Sequence, residues 1–341
     1  MPVEAAKQVD GEHHVYRKIM NLNQPDSFRT TLIYSGLTGL IFLCLPVVLS
    51  RYYVYLLSLI FVTGLLATSL NLVLGFGGMY QFHHAVFYGI GAYTAALILT
   101  KTGLPVWFGF VAAPVVAGIM GLVIGIICVR LSKLYFGMLQ ISLGSLVWAI
   151  VFRWYAFTGG DDGIHGISLP AAIGSGKGAY YFVLAVSAVS LLILYRIVIS
   201  PFGRTFQAIR DNPARCEAIG IDVRRHQLIG EIIAAAFAGI AGSMFVVVEG
   251  SVFPDLLFWT LSLEILIMCL LGGWFTFLGP MLGAAIIVML RSVAGSYTEY
   301  WTMILGIVLM LLIFFLPEGV LGYFQKISRH IRGKKSIRET A

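Results

Sequence analysis

The sequence predicts an all-α polytopic membrane protein of about ten transmembrane helices, with both termini on the cytoplasmic side. Three observations carry that prediction. Of 341 residues, 59% are hydrophobic and only 11% charged, against about 25% charged in a soluble domain. Apolar runs close to the roughly 20 residues that a helix needs to cross a bilayer recur along the chain. When those runs are threaded back and forth, lysine and arginine collect on one side. The net charge of +7 is explained by that asymmetry and does not point to nucleic acid.

The elements follow in order. Residues 1–30 are polar and hold no apolar core, so they read as a cytoplasmic N-terminal segment and not as a cleaved signal peptide. The spans are then Thr31–Leu49, Tyr52–Leu74, His83–Thr100, Leu104–Val129, Leu134–Phe157, Ala179–Ile199, Gln227–Val248, Phe258–Leu271, Gly279–Val293 and Tyr300–Leu316. The eighth and ninth are short and read either as full helices or as half-helices meeting at Gly272-Gly273. Of the 23 basic residues, 18 fall on the cytoplasmic side (17 in its segments and Arg196 at the inner end of a span) and three (Arg51, Lys101, Lys177) outside, while Arg153 and Arg291 sit within spans near their outer ends. That split fixes the orientation. Trp107, Trp154, Trp259 and Trp301 fall near outer ends, as an interfacial aromatic belt requires. The permease body is thus 31–317, and a basic cytoplasmic tail follows at 318–341. Cys44, Cys128, Cys216 and Cys269 are far apart and form neither a disulfide framework nor a zinc pattern.

One polar, basic stretch, FGRTFQAIRDNPARCEAIGID (Phe202–Asp222), interrupts the apolar pattern inside the cytoplasmic segment 200–226. Asn212 and Pro213 read as N-cap and first residue of a short helix, and Gly220 as its stop. Ala214 and Ala218 share one face of that helix. Small residues there suit a partner's groove, and Arg204, Arg210, Arg215, Arg224 and Arg225 suit acidic groups or anionic lipid. The competing reading is a solvated loop that merely satisfies the positive-inside rule.

This stretch resembles the coupling loop of ABC importer permeases in its branched-chain amino acid, LivM-like form. The resemblance is carried by Gly203-Arg204, Ala208-Ile209-Arg210-Asp211-Asn212, Glu217-Ala218 and Gly220-Ile221. Pro213 and Cys216 depart from that pattern. Three further stretches resemble the same family in order: Leu70–Leu97 (LNLVLGFGGMYQFHHAVFYGIGAYTAAL), Arg130–Gly144 with Thr158–Ile167, and Leu261–Ala285 (LSLEILIMCLLGGWFTFLGPMLGAA). His83, Met79 and Tyr80 depart from it, beside the Gly75/Gly77/Gly78 break.

The resemblance implies an ABC importer permease fold in a bacterial or archaeal cytoplasmic membrane. It implies a second, LivH-like permease, two cytoplasmic ATPase subunits (LivG-like and LivF-like), and a periplasmic solute-binding protein. Branched-chain or other hydrophobic amino acids are the implied solutes; urea, short amides and aromatic carboxylates belong to relatives of similar design. Gly203, Arg204, Ala208, Arg210, Asp211, Asn212, Ala214, Glu217, Ala218 and Gly220 are the expected ATPase-coupling residues. The chain has no phosphate loop, since GSGKG at Gly174–Gly178 lacks the required pattern. ATP and Mg²⁺ are therefore expected on the partners, and neither cofactor, metal nor nucleic acid on this chain. An ion-driven secondary transporter is the rival class, favoured only by paired intramembrane charges. A membrane enzyme would need a nucleophile or cofactor constellation.

Candidate pathway or gate residues are Asn71, Gly75, Gly77, Gly78, His83, His84, Glu264, Gly272 and Gly273. The glycines read equally as broken-helix sites that expose backbone groups and as tight turns. Glu264, an ionisable group within a span, reads as pathway lining or pair contact, or else as half of an internal ion pair, with Arg153 as a candidate partner. Asn71 reads better as a bond to a neighbouring helix than as pathway lining. Glu231, near a span end, reads as snorkelling to the cytoplasm. His83 and His84 are adjacent and point apart on a helix, so a hydrogen-bonding or shaping role suits them better than joint metal ligation. Ala234, Ala235, Ala236, Ala238, Gly239, Ala241 and Gly242 read as a helix-packing face. The outer loop 158–177, with Asp161-Asp162, reads as a docking site for a delivery protein or as a glycine-rich hinge.

Overall fold

The structure, a computed structural model, describes residues 42–130, 133–174, 176–297, 300, 303, 306, 307, 310, 319 and 320. Most of the first and tenth expected spans, the N-terminal segment and nearly all of the basic tail lie outside the described residues. The chain divides into two compact units, Met1–Ser50 and Arg51–Ala341. In the first, residues 42–48 are helical.

The described part of the second unit is mostly helical. Its principal helices are α1 (Arg51–Asn71), α2 (His84–Lys101), α3 (Val106–Cys128), α4 (Lys133–Arg153), α5 (Gly176–Ile199), α6 (Pro201–Asp211), α7 (Pro213–Ala218), α8 (Val223–Glu249), α9 (Trp259–Gly272) and α10 (Gly279–Tyr297). All eight expected spans from the second to the ninth correspond to helices with ends displaced by a few residues. A π turn, Leu72–Phe76, extends α1. Among the described residues, six helices are long and apolar enough to cross a membrane: α1 with its π turn, α3, α4, α5, α8 and α10. The 14 residues of α9 reach only about 21 Å, short of a roughly 30 Å hydrocarbon core.

The centre is α8, packed along α3 and α2 and then α1. Its small residues make this possible: Ala234, Ala235, Ala238, Gly239, Ala241 and Gly242 are all buried. A Cβ on Gly239 would stand 2.6 Å from the Ala117 Cβ and 2.8 Å from the Ala113 carbonyl oxygen, so only glycine lets the α3 backbone come this close. The packing face expected from sequence is therefore what joins α8 to α3 and α2. By contrast α4 and α5 bury little of their surface within the chain. Their exposed side chains are apolar (Leu146 and Ile150; Val189, Leu192 and Ile193), as lipid or another membrane protein requires.

Opposite the α5–α8 connection, residues 159–168 fold back against the end of α8. Ile164 and Val252 exchange both backbone hydrogen bonds at 2.9 Å, and Ile167 N–H donates to Gly250 at 3.2 Å. Tyr155 donates to the Asp162 carboxylate, and Asp162 O contacts His165 Nε2 at 2.5 Å. The loop is thus clipped down, and of the Asp161-Asp162 pair only Asp161 lacks such a tie among these bonds.

Candidate functional site

The segment 200–226 folds as its local signals require. Ser200 caps α6 by accepting from Gly203 N–H at 3.3 Å, with Pro201 in the first turn. Asn212 then caps α7 by accepting from Arg215 N–H at 3.0 Å, with Pro213 in the first position. Gly220 takes φ +86°, and Asp222 caps α8 through Arg225 N–H at 3.0 Å. Three caps in succession turn the chain twice without a long loop. One face is apolar: Ile209, Cys216 and Val223 form a small buried cluster. The other is open: Arg204, Ala208, Asn212, Ala214, Glu217, Ala218 and Gly220 are exposed, and an open cleft is lined by Glu217, Gly220, Ile221, Asp222, Val223 and Arg224.

Two helix breaks meet beside this segment. The first follows the π turn, where Gly78 takes φ +69° and donates to the Leu74 carbonyl at 3.1 Å. The second ends α9, where Gly273 takes φ +109° and Thr276 folds back on the Gly273 carbonyl through both its N–H and its hydroxyl. Asn71, wholly buried, donates from Nδ2 to the Thr276 carbonyl at 3.1 Å. The backbones touch: a Cβ on Gly75 would lie 2.0 Å from the Trp274 carbonyl oxygen. The Tyr80 and Trp274 rings stand 6.4 Å apart, tilted by 54°. The two glycine breaks that are alike in sequence are thus in spatial contact, and Asn71 bonds the turn of the second break.

Helix α6 is locked onto this pair by two side chains. Phe206, wholly buried, fills the space of two absent side chains: a Cβ on Gly77 or on Gly230 would meet its ring at 2.4 or 2.5 Å. Arg210 donates from Nη1 to the Gly75 carbonyl at 2.8 Å. Its Nε and Nη2 both donate to Asp211 Oδ1, at 3.0 and 2.8 Å. Its guanidinium carbon stands 5.3 Å from the centre of the Phe275 ring. A cation at the carbonyl end of a helix is electrostatically favoured, and an arginine plane over an aromatic face adds to it. The ten residues expected to couple thus divide: Gly203 is buried, Arg210 reaches the first break with exposed Asp211 holding its plane, and the other seven face outward.

Residues 81–85 form a polar hub at the start of α2. Phe82 N–H donates to Gln140 Oε1 on α4 at 3.2 Å, and Ala85 N–H to Ser262 Oγ on α9 at 2.9 Å. His84 contacts Gln81 Oε1 through Nδ1 and Ser69 Oγ through Nε2, both at 2.9 Å. His83 turns the other way, its Nε2 standing 3.2 Å from Glu231 Oε1 on α8, with both side chains fully buried. The imidazole lies off the hydrogen-bond line, and neither ring nitrogen of His83 nor either carboxyl oxygen of Glu231 has a hydrogen-bond partner among the described residues. This corrects the expectation that Glu231 snorkels. The side chain points into the bundle, where Gly125 of α3 leaves it room: a Cβ there would come within 3.0 Å of Glu231 Oε2.

Glu264, half-buried in α9, has Arg291 of α10 within electrostatic range. Arg153 is exposed, and among the described residues no ion pair joins it to Glu264, so Arg291 replaces it as the neighbouring cation. Tyr55 at the start of α1 donates to Glu249 at the end of α8. Sequence reasoning missed Phe206, Gln81, Gln140 and the His83–Glu231 contact. Of these only Phe206 carried a usable signal, as one of the apolar residues on the buried face of an otherwise polar helix.

Comparison with known proteins identifies the family. The family described as "Branched-chain amino acid transport system / permease component" matches residues 52–314. The high-affinity branched-chain amino acid transport system permease protein LivM of Escherichia coli K12 is 28% identical over 81% of this chain and 71% of its own length. LivH of the same strain, likewise a high-affinity branched-chain amino acid transport system permease protein, is 26% identical over 76% of this chain and 91% of its own. A probable branched-chain amino acid transport permease protein LivM of Methanocaldococcus jannaschii is 23% identical over 75% and 89%. No solved structure matches. With more than half its length matched, the multi-pass helical chain belongs to the branched-chain amino acid transport system permease component family.

Proposed function

We propose that the chain is one of two permeases of an ATP-driven importer for branched-chain or other hydrophobic amino acids in a bacterial or archaeal cytoplasmic membrane. A LivH-like permease completes the pathway, LivG-like and LivF-like subunits supply ATP and Mg²⁺ chemistry, and a periplasmic binding protein delivers the solute. The permease domain is 31–317, with the 200–226 segment on the cytoplasmic side.

The observation that carries this reading is the two-sided character of that segment. Its outer face (Ala214, Glu217, Ala218, Gly220) is exposed, and its inner face grips the two helix breaks through Phe206 and Arg210. A loop serving only the positive-inside rule needs no such grip. Movement imposed from outside is thereby delivered to the places where α1 and α9 are interrupted, a geometry suited to rocking between two packings. Asn71, the glycines of both breaks, His83, His84 and Glu264 are the residues through which the pathway would be shaped.

The test is purification in mild detergent with mass spectrometry of associated subunits, followed by leucine uptake into liposomes holding the whole complex. Uptake that requires both ATP and the binding protein supports the proposal. Uptake by the isolated chain that is driven by an ion gradient and indifferent to ATP would refute it. Tyr80, exposed at the first break, departs from the family pattern, so urea, a short amide and benzoate belong in the competition panel.

A further inference from the structure

Resting on the importer reading above, we propose that Arg210 is the positioning residue that holds both helix breaks to the coupling segment. Motion of the segment then reaches them through one guanidinium as well as through the flanking helices α5 and α8.

Three partners from three stretches of chain converge on this side chain. The Gly75 carbonyl belongs to the first break, Phe275 to the second, and Asp211 to the coupling segment itself. The side chain crosses directly over Gly78, where an added Cβ would stand 2.7 Å from Arg210 Cγ. Asp211 takes two of the guanidinium N–H groups and so fixes the plane, leaving Nη1 aimed at Gly75. Only a planar fork does all three tasks at once; a lysine ammonium is a single point charge without a stacking face.

The neighbouring contact, Phe206 in the space beside Gly77 and Gly230, is of a different kind. An apolar wedge transmits a push but has little to resist a pull. A charge-assisted bond to a main-chain carbonyl resists both. Arg210 is therefore suited to carry the break back as well as forward during a cycle, and its side chain is only partly exposed (26%), which spares the bond from full competition by water.

The experiment uses the assembled complex with both permeases, both ATPases and the binding protein, in the Arg210→Ala and Arg210→Lys variants. The first readout is leucine taken up per ATP hydrolysed. Loss of a charged hydrogen bond predicts a fall of about tenfold or more in the alanine variant, and the lysine variant should not restore the native ratio. The second readout needs no solute: labelling of Tyr80→Cys by a water-soluble maleimide, in a Cys44→Ser background, with and without vanadate-trapped nucleotide. Labelling should respond to nucleotide with Arg210 present and lose that response in either variant that still assembles. A nucleotide response kept in Arg210→Ala, or an unchanged uptake ratio, overturns the proposal. If the parent complex moves no leucine while its labelling still responds to nucleotide, the solute assignment fails and the role of Arg210 is decided by labelling alone.

Discussion

Replacing His83 by alanine leaves the buried Glu231 carboxyl without its nearest polar neighbour, and the contact geometry sets the size of the effect. With both groups charged, 3.2 Å of separation at an effective dielectric near 20 corresponds to about 5 kcal/mol of attraction. Desolvating two ions costs several kcal/mol each, so the intact pair adds little net stability, while removing one partner costs roughly 3–5 kcal/mol. The expected pattern is therefore strongly non-additive. His83→Ala and Glu231→Ala should each destabilise by about 3 kcal/mol or more, and the double variant by much less than the sum. Replacing both with apolar residues of similar volume should be near neutral or stabilising. Denaturation in mixed micelles, followed by tryptophan fluorescence across the four-member cycle, measures the coupling. Additivity within about 0.5 kcal/mol would refute the reasoning, because it would mean that the two side chains do not meet in the folded protein.

Gly75→Val should cost about 1–3 kcal/mol and lower transport, since its Cβ would fall on the Trp274 carbonyl; the same micelle assay with uptake checks both. Glu217→Arg combined with Gly220→Val should abolish copurification of the ATPase subunits and transport while leaving membrane insertion intact, as membrane fractionation and pull-down will show. Glu264→Gln should change leucine uptake more than the amount of folded protein; a lower yield with unchanged specific uptake would make the residue structural.

What was legible in the sequence was what is local. The Asn212–Pro213 start and Gly220 stop of α7 were readable because a cap, a fixed proline φ and a positive-φ glycine are decided within a few residues. Helices α1 to α5 and α8 to α10 were readable because a bilayer demands long apolar runs, and α8's packing face because small residues were crowded there; α6, polar on one face, was not. Contacts between distant segments were not readable. Glu231 looked like a snorkelling residue from its distance to the span end, and only the crossing of α8 over the start of α2 turns it toward His83. Arg153 was only a candidate partner for Glu264, and the packing of α9 against α10 brings Arg291 instead. The two glycine breaks were alike in sequence, but nothing in their composition said that Asn71 would bond Thr276 or that Arg210 would span both.

The clip between Ile164 and Val252 has a consequence at the far side of the molecule. Helix α8 runs 27 residues without a proline, about 40 Å, and is anchored at one end by Asp222 in the coupling segment and at the other by the clipped outer loop. Because Ile164 and Ile167 are hydrogen-bonded to Val252 and Gly250 just past the far end of this rod, a tilt applied at the Asp222 end would carry the 163–167 stretch with it; in the proposed importer the two ends of α8 would then report each other's position.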